Sequence, residues 1–231
     1  MELQSHPHRL GYLDALRGIA VVWMIIFHFF YDLRFFNLID WDFNSGFWYA
    51  FPRVIAFTFL LCVGLSLHYG NIHGLRKEAF IQRSTKLFIA AFTISVVTYV
   101  AFPQGWIYFG TLHCILVGSL LGIWFVYHRN LALILMILIM VSQYLLGFDI
   151  QWVSANFTKK YSMDFIPIYP WFWAILLGIL LAPYLKNLSL LAELRGPKFL
   201  GWLGKHSLKI YLLHQPLIFG FLFAFQALKR T

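Results

Sequence analysis

The sequence predicts an all-α integral membrane protein, a polytopic bundle of about seven transmembrane helices with the N-terminus inside. The chain has 231 residues, of which 61% are hydrophobic and 12% charged. Soluble domains carry about 25% charged residues, so this composition excludes an ordinary soluble enzyme. Apolar segments of membrane-spanning length recur along the chain and favour helices, because barrel strands alternate apolar and polar residues. We expect a single transmembrane domain over residues 1–231.

Apolar segments mark the expected spans in order. The first, Leu13–Asp32, would rise about 30 Å as a helix, which matches the hydrocarbon thickness of a bilayer. The others follow as Phe47–His68, Leu87–Phe102, Leu112–Tyr127, Leu131–Gly147, Ile168–Tyr184 and Ser207–Leu228. The longest connecting segments are residues 69–86, 148–166 and 185–206, and the first and last of these are basic.

Basic residues indicate the orientation. With the N-terminus inside, the inner side collects Arg9, Arg76, Lys77, Arg83, Lys86, Arg129, Lys186, Arg195, Lys198 and Lys205, whereas the outer side holds Arg34, Lys159, Lys160, Lys229 and Arg230. Membrane proteins retain Lys and Arg on the cytoplasmic side, so the bias predicts a multi-pass protein of the cytoplasmic (inner) membrane. These loops also account for the net charge of +9, and no nucleic acid partner is expected.

The cysteine content is low. Cys62 and Cys114 both lie in apolar segments, where they are expected to act as small buried hydrophobic residues. They do not suffice for a disulfide framework or a metal site.

The first expected span carries ionisable side chains at Asp14, Arg17, His28 and Asp32. At about 100° per residue, all of them fall within roughly 60° of one stripe of the helix. Ionisable groups at membrane depth are costly and normally mark a working site. Arg17 and His28 lie roughly 16 Å apart along the axis, so the stripe forms a path through the membrane. Alternatively, Asp14 and Arg17 form a local i,i+3 pair, and His28 is a core histidine bonded to a carbonyl.

Other polar residues are expected at the depth of His28. His113 begins the fourth span, Asp164 precedes the sixth, and His214 with Gln215 lies inside the seventh. Interfacial loop chemistry is the alternative for His113 and Asp164. Their combined occurrence favours a shared site.

These motifs resemble a known group of enzymes. The segment YLDALRGIAVVWMIIFHFFYDL resembles the opening segment of the membrane acyltransferases, whose signature is an arginine and a histidine separated by ten residues, here Arg17 and His28. The chain is similar to bacterial proteins related to heparan-α-glucosaminide N-acetyltransferase through LDALRGIA, FGTLHCI, DFIPIYPW and GKHSLKIYLLHQP, which are spread over nearly its full length. The resemblance implies transfer of an acetyl group from cytoplasmic acetyl-CoA to a sugar or glycan acceptor on the far side.

The resemblance also assigns roles to residues. Catalytic residues would be His28, which takes a proton from the attacking amine or hydroxyl, Asp32, which orients it, and His214, which matches a histidine in the last helix of heparan-type proteins. Acetyl-CoA would be bound by Arg17, whose guanidinium suits a phosphate, together with Asp14 and His113.

The chain departs from the family pattern in two ways. The eukaryotic heparan enzymes carry their proposed histidine in the first extracytoplasmic loop, but this chain has none between Arg34 and Gly46. Relatives often have ten or eleven spans, so a homodimer could supply what a shorter chain lacks.

Two further functions fit intramembrane polar residues. A proton-coupled transporter of a small metabolite or lipid-linked sugar would use histidine and aspartate equally well, but such carriers often contain two related halves, and no such symmetry is seen. A structural subunit would use polar residues to hold helices together, which leaves the stripe unexplained.

Overall fold

The computed structural model describes residues 11–148, 162–186 and 198–229. Within these ranges the regular secondary structure is entirely helical, which confirms the all-α prediction. The helices are α1 (Gly11–Phe35), α2 (Gly46–Asn71), α3 (Lys77–Ala101), α4 (Thr111–Phe125), α5 (Arg129–Tyr144), α6 (Ile168–Lys186), α7 (Lys198–Lys205) and α8 (Ser207–Leu228).

Each expected span corresponds to one of these helices, but their lengths differ. Among the described residues, α1, α2, α3, α6 and α8 are long and apolar enough to cross a membrane. α4 and α5 are apolar but have only 15 and 16 residues, which extend about 23–24 Å. A polytopic helical membrane protein is therefore confirmed, while seven crossings and the N-in orientation stay predictions.

The basic segment before the last span contains a helix that the sequence analysis read as loop. α7 is amphipathic: Leu203 and Gly204 are buried, whereas Lys198 and Lys205 are exposed. Eight residues extend only about 12 Å. The sequence therefore contains no apolar segment of membrane-spanning length that would indicate this helix.

The chain forms two compact units, Met1–Thr58 with Tyr184–Thr231 and Phe59–Pro183. The first contains α1, the beginning of α2, α7 and α8. The second contains the rest of α2 together with α3, α4, α5 and nearly all of α6. The single domain over residues 1–231 stays a prediction.

In the first unit, α1 packs on α7 backbone to backbone. A Cβ atom at Gly18 would overlap the carbonyl of Leu200, and one at Gly204 would overlap the carbonyl of Asp14. The residue numbers rise on one helix as they fall on the other, so the helices are antiparallel. Small residues allow such close approach between membrane helices, and the contact fixes the segment that carries Asp14.

The same unit pairs α1 with α8. Asp32 contacts Gln215, and the rings of Phe35 and Phe219 lie 5.4 Å apart. Residue numbers rise together on both helices, so α1 and α8 run parallel.

In the second unit, glycines bring α2 against α6. A Cβ atom at Gly64 would overlap the carbonyl of Ile175, and one at Gly178 would overlap the carbonyl of Leu61. The Tyr69 hydroxyl donates to the Ala182 carbonyl at 2.6 Å, which joins the same two helices near their other ends. Both cysteines of the chain are buried in this unit, as expected.

Candidate functional site

α1 and α8 bring two of the expected catalytic residues together. The imidazole rings of His28 and His214 have centroids 4.8 Å apart and planes inclined by 59°. His214 is 7% exposed, and His28 is partly exposed. The sequence singled out both histidines, and the structure makes them neighbours.

The backbone of α8 fixes the tautomer of His214. Its Nδ1 lies 2.9 Å from the carbonyl oxygen of Tyr211 and 3.2 Å from that of Ile210. A carbonyl only accepts hydrogen bonds, so Nδ1 carries the proton, and Nε2 of the neutral ring carries a lone pair. Nε2 is buried and has no hydrogen-bond partner within the described residues. A proton acceptor is thus held beside His28.

Asp32 takes part in a different contact from the expected one. Its side chain is buried, and the Gln215 amide Nε2 lies 2.9 and 3.1 Å from its two carboxylate oxygens. Instead of a hydrogen bond to His28, the carboxylate accepts these bonds from α8. Asp32 still follows His28 by one helical turn, so their Cβ atoms are about 5–6 Å apart. The orienting role of Asp32 toward His28 stays a prediction, and Gln215 is a neighbour of the site to which the sequence analysis gave no role.

Arg17 and Asp14 form the local pair that the sequence analysis gave as an alternative. Arg17 donates to the Asp14 carboxylate at 2.9 Å, and the two side chains are 21% and 3% exposed. Asp14 also supplies the carbonyl against which Gly204 packs. The pair therefore holds a guanidinium at the start of α1, roughly 16 Å along the helix from His28. Its binding of acetyl-CoA stays a prediction.

His113 lies in the second unit, where its ring braces the start of α4. Nδ1 accepts a hydrogen bond from the Gly110 amide at 3.1 Å, so Nε2 carries the proton of the neutral ring. Nε2 lies 3.2 Å from Oγ of Ser95, which itself donates to the Ile107 carbonyl at 2.7 Å. Both ring nitrogens thus have partners in the fold, and an acetyl-CoA contact by His113 stays a prediction.

Asp164 acts at the same helix end. Its carboxylate accepts hydrogen bonds from the Thr111 amide at 2.8 Å and the Thr111 hydroxyl at 3.1 Å. A carboxylate is favourable at a helix N-terminus, where backbone amides lack partners. The structure therefore brings His113 and Asp164 together at the start of α4. There both side chains form hydrogen bonds that stabilise the N-terminus of α4. This role is closest to the alternative of interfacial loop chemistry given above for these two residues.

The loop after α1 forms a pocket that the sequence analysis did not single out. Its volume is about 540 Å³, and its lining residues are Tyr31, Arg34, Phe35, Asp40, Trp41, Asp42, Phe43 and Asn44. Trp41 stacks on Phe30 and Trp48, with ring centroids 4.9 and 5.3 Å away. The Ser45 hydroxyl and the Asn44 amide donate to Asp42 and hold the pKa of that carboxyl below its usual range. Arg34 is six residues beyond His28, about 9 Å along α1.

One comparison with known proteins identifies the chain's family. The family model described as "Heparan-alpha-glucosaminide N-acetyltransferase, catalytic" matches residues 9–216. The matched range begins before Asp14 and extends past His214, so it includes both ends of the proposed site. No curated protein and no solved structure matches the chain.

Proposed function

The chain belongs to the heparan-alpha-glucosaminide N-acetyltransferase catalytic family, and from this premise we propose that it transfers an acetyl group from acetyl-CoA to a sugar acceptor. Membership makes it a multi-pass protein of a transmembrane acetyltransferase family. The proposal adds cytoplasmic acetyl-CoA as donor, an amine or hydroxyl of an extracytoplasmic sugar as acceptor, and the inner membrane as location. The observation that carries it is the buried lone pair of His214 beside His28.

The histidine pair supplies general base catalysis. Nε2 of His214 takes the proton from the acceptor nitrogen or oxygen as that atom attacks the thioester carbonyl. The new C–N or C–O bond forms, the C–S bond breaks, and the proton is returned to the leaving thiolate. An imidazole suits this exchange because it titrates near neutral pH. The positive charge held by the pair during the reaction is stabilised by the Asp32 carboxylate one helical turn away.

Arg17 supplies the donor-binding end of the site. A guanidinium binds phosphate with two parallel hydrogen bonds, and Asp14 holds this one at 2.9 Å. The separation of roughly 16 Å along α1 lets CoA phosphates bind at one end of the helix while the thioester reacts at His28. Donor binding and chemistry are therefore assigned to different ends of one helix.

The pocket after α1 is the proposed acceptor site. Its polar side chains include Asp40, Asp42 and Asn44, which accept hydrogen bonds from hydroxyl and amino groups. Trp41 adds an aromatic side chain, as is common where small ligands bind. The pocket lies beyond His28 on the side away from Arg17, so donor and acceptor would approach the histidines from opposite ends of α1.

Arg17→Ala is expected to weaken acetyl-CoA binding about 10–100-fold, because one charged hydrogen-bonding group contributes about 1.5–3 kcal/mol. Arg34→Ala is the matched control. Arg34 lies at the other end of α1, where it pairs with Asp40 at 3.1 Å, and its loss should leave acetyl-CoA binding unchanged. His28→Ala should also retain binding. Calorimetric titration of the purified protein in detergent measures all of these constants.

Equal losses in the Arg17 and Arg34 variants would contradict the assignment of the donor end. Absence of binding by folded wild-type protein would contradict the proposed donor and favour a proton-coupled transporter.

A further inference from the structure

Neither the family assignment nor the sequence assigns a role to the Gln215 side chain. We infer that it is a positioning residue: its amide holds the Asp32 carboxylate at the His28–His214 pair and sets the pH range in which the pair works. This inference rests on the proposed function. It concerns one contact between α1 and α8, the double approach of Gln215 Nε2 to both carboxylate oxygens at 2.9 and 3.1 Å.

The contact fixes the orientation of the Gln215 amide. Turning the amide over would place its carbonyl oxygen against a carboxylate, and two acceptors repel each other. The NH₂ group therefore faces Asp32, and the carbonyl Oε1 points elsewhere, buried and without a hydrogen-bond partner in the described part of the chain. Leaving a buried acceptor unsatisfied costs about 1–3 kcal/mol, so this arrangement is not the cheapest way to join two helices.

The contact between α1 and α7 in the same unit is built differently from the contact between α1 and α8. α1 meets α7 through Gly18 and Gly204, where the two backbones come into direct contact. At α8, by contrast, a carboxylate that is 2% exposed is retained and given one amide donor. A buried carboxylate is destabilising unless it is hydrogen-bonded. Retaining such a group one turn from His28 is what a proton-accepting pair requires, since a negative charge favours the protonated imidazole.

In the described part of the first unit, the titratable groups near Asp32 lie on α1, on α8 and in the loop after α1. His28 lies on its own helix, and His214 lies on α8 with Tyr211, whose ring is 5.8 Å from that of His214. α7 contacts α1 at Gly18 and Asp14, so its Lys198 and Lys205 belong to the opposite end. α2 meets α1 through aromatic contacts such as Trp23 with Phe51, and its Arg53 lies over Tyr49. The loop after α1 places the Arg34–Asp40 pair beyond Asp32. Gln215 is accordingly the group best placed to govern Asp32.

Gln215→Glu tests this role through the pH profile of acyl transfer. Two carboxyl groups facing each other share one proton at low pH, and the shared O–H then replaces the amide donor to Asp32. At higher pH the proton is lost and the carboxylates repel. We expect kcat within about threefold of wild type at the acidic end of the profile, and a loss of tenfold or more at its alkaline end.

Gln226→Glu is the matched control. Gln226 joins α8 to the residue that follows α1: its amide donates to the Phe36 carbonyl at 3.3 Å. It lies 11 residues from Gln215, about 16 Å along the helix. Its pH profile should match that of wild type. A uniform loss for Gln215→Glu at every pH, or the same alkaline loss for Gln226→Glu, would show that Gln215 only holds the helices together and would overturn the inference.

A double-mutant cycle covers the case in which Gln215→Glu fails to fold. Asp32→Asn keeps an oxygen that accepts from the Gln215 amide but removes the charge, while Gln215→Leu removes the donor. If Gln215 acts through Asp32, the Gln215→Leu loss in kcat shrinks at least threefold in the Asp32→Asn background. Additive losses would overturn the inference. An inactive wild type would instead be a failure of the proposed function, which the same assay reports first.

Discussion

Replacing His214 by alanine is expected to lower kcat for acyl transfer by about 10²–10⁴-fold, the usual contribution of a general base. Acetyl-CoA binding should be retained, because Arg17 lies at the other end of α1. The physical reason is the fixed tautomer: the Tyr211 and Ile210 carbonyls hold the proton on Nδ1 and leave the Nε2 lone pair beside His28. Single-turnover measurement of acetyl transfer separates this loss from any change in binding.

His206→Ala is the matched control for that experiment. His206 also directs Nδ1 at a carbonyl, that of Trp202 at 2.9 Å, and its ring packs on the Trp202 indole at 4.6 Å. It precedes α8 and has no histidine neighbour in the described structure. Its removal should leave kcat unchanged. Wild-type kcat in the His214 variant, or an equal loss in both variants, would contradict the assignment of the base.

Gly204→Val is expected to give the largest loss of stability. The new side chain would overlap the backbone of Asp14, which cannot move aside as a side chain could. Overpacking of this kind costs about 1–3 kcal/mol, which corresponds to a fall in the unfolding midpoint of roughly 2–12 °C for a chain of this size. Because the contact places Asp14 and hence Arg17, acetyl-CoA binding should weaken as well. Thermal unfolding in detergent measures the midpoint.

Gly201→Val controls for the change in helix propensity. Gly201 lies on the same helix, three residues earlier, and a Cβ atom there meets nothing within 4 Å. Both substitutions alter the backbone preference alike, so the difference in midpoint isolates the contact with Asp14. Equal midpoints would show that α7 does not depend on close packing against α1.

Hydropathy predicted the helices of this chain well because lipid imposes a length on every apolar segment. The segments that became α1, α2 and α8 were placed within a few residues of their observed limits. Hydropathy did not predict α7, because this helix is very short and its apolar residues cover only one face. A short amphipathic segment flanked by lysines resembles a loop. Its packing depends on Gly18 and Gly204, whose partners are distant in sequence.

The sequence predicted which residues belong to the candidate site but not which of them contact each other. Asp14, Arg17, His28 and Asp32 were singled out because they are ionisable side chains at membrane depth that share one stripe of the predicted helix. The period of one helix does not say which side chain of another helix faces it, so the contacts of His28 with His214 and Asp32 with Gln215 could not be derived. The one available signal was a histidine and a glutamine side by side in an apolar span, since polar groups at that depth need partners.

Acetyl transfer by the purified protein tests the central claim most directly. Wild-type protein in proteoliposomes is given labelled acetyl-CoA on one side and glucosamine, as the probe acceptor, on the other. Release of CoA thiol and labelling of the sugar are then measured together. The proposed function predicts one thiol released for each acetyl group transferred, with transfer lost when either substrate is omitted. Folded protein that binds acetyl-CoA but acetylates neither glucosamine nor any of a panel of amino and hydroxyl sugars would contradict it.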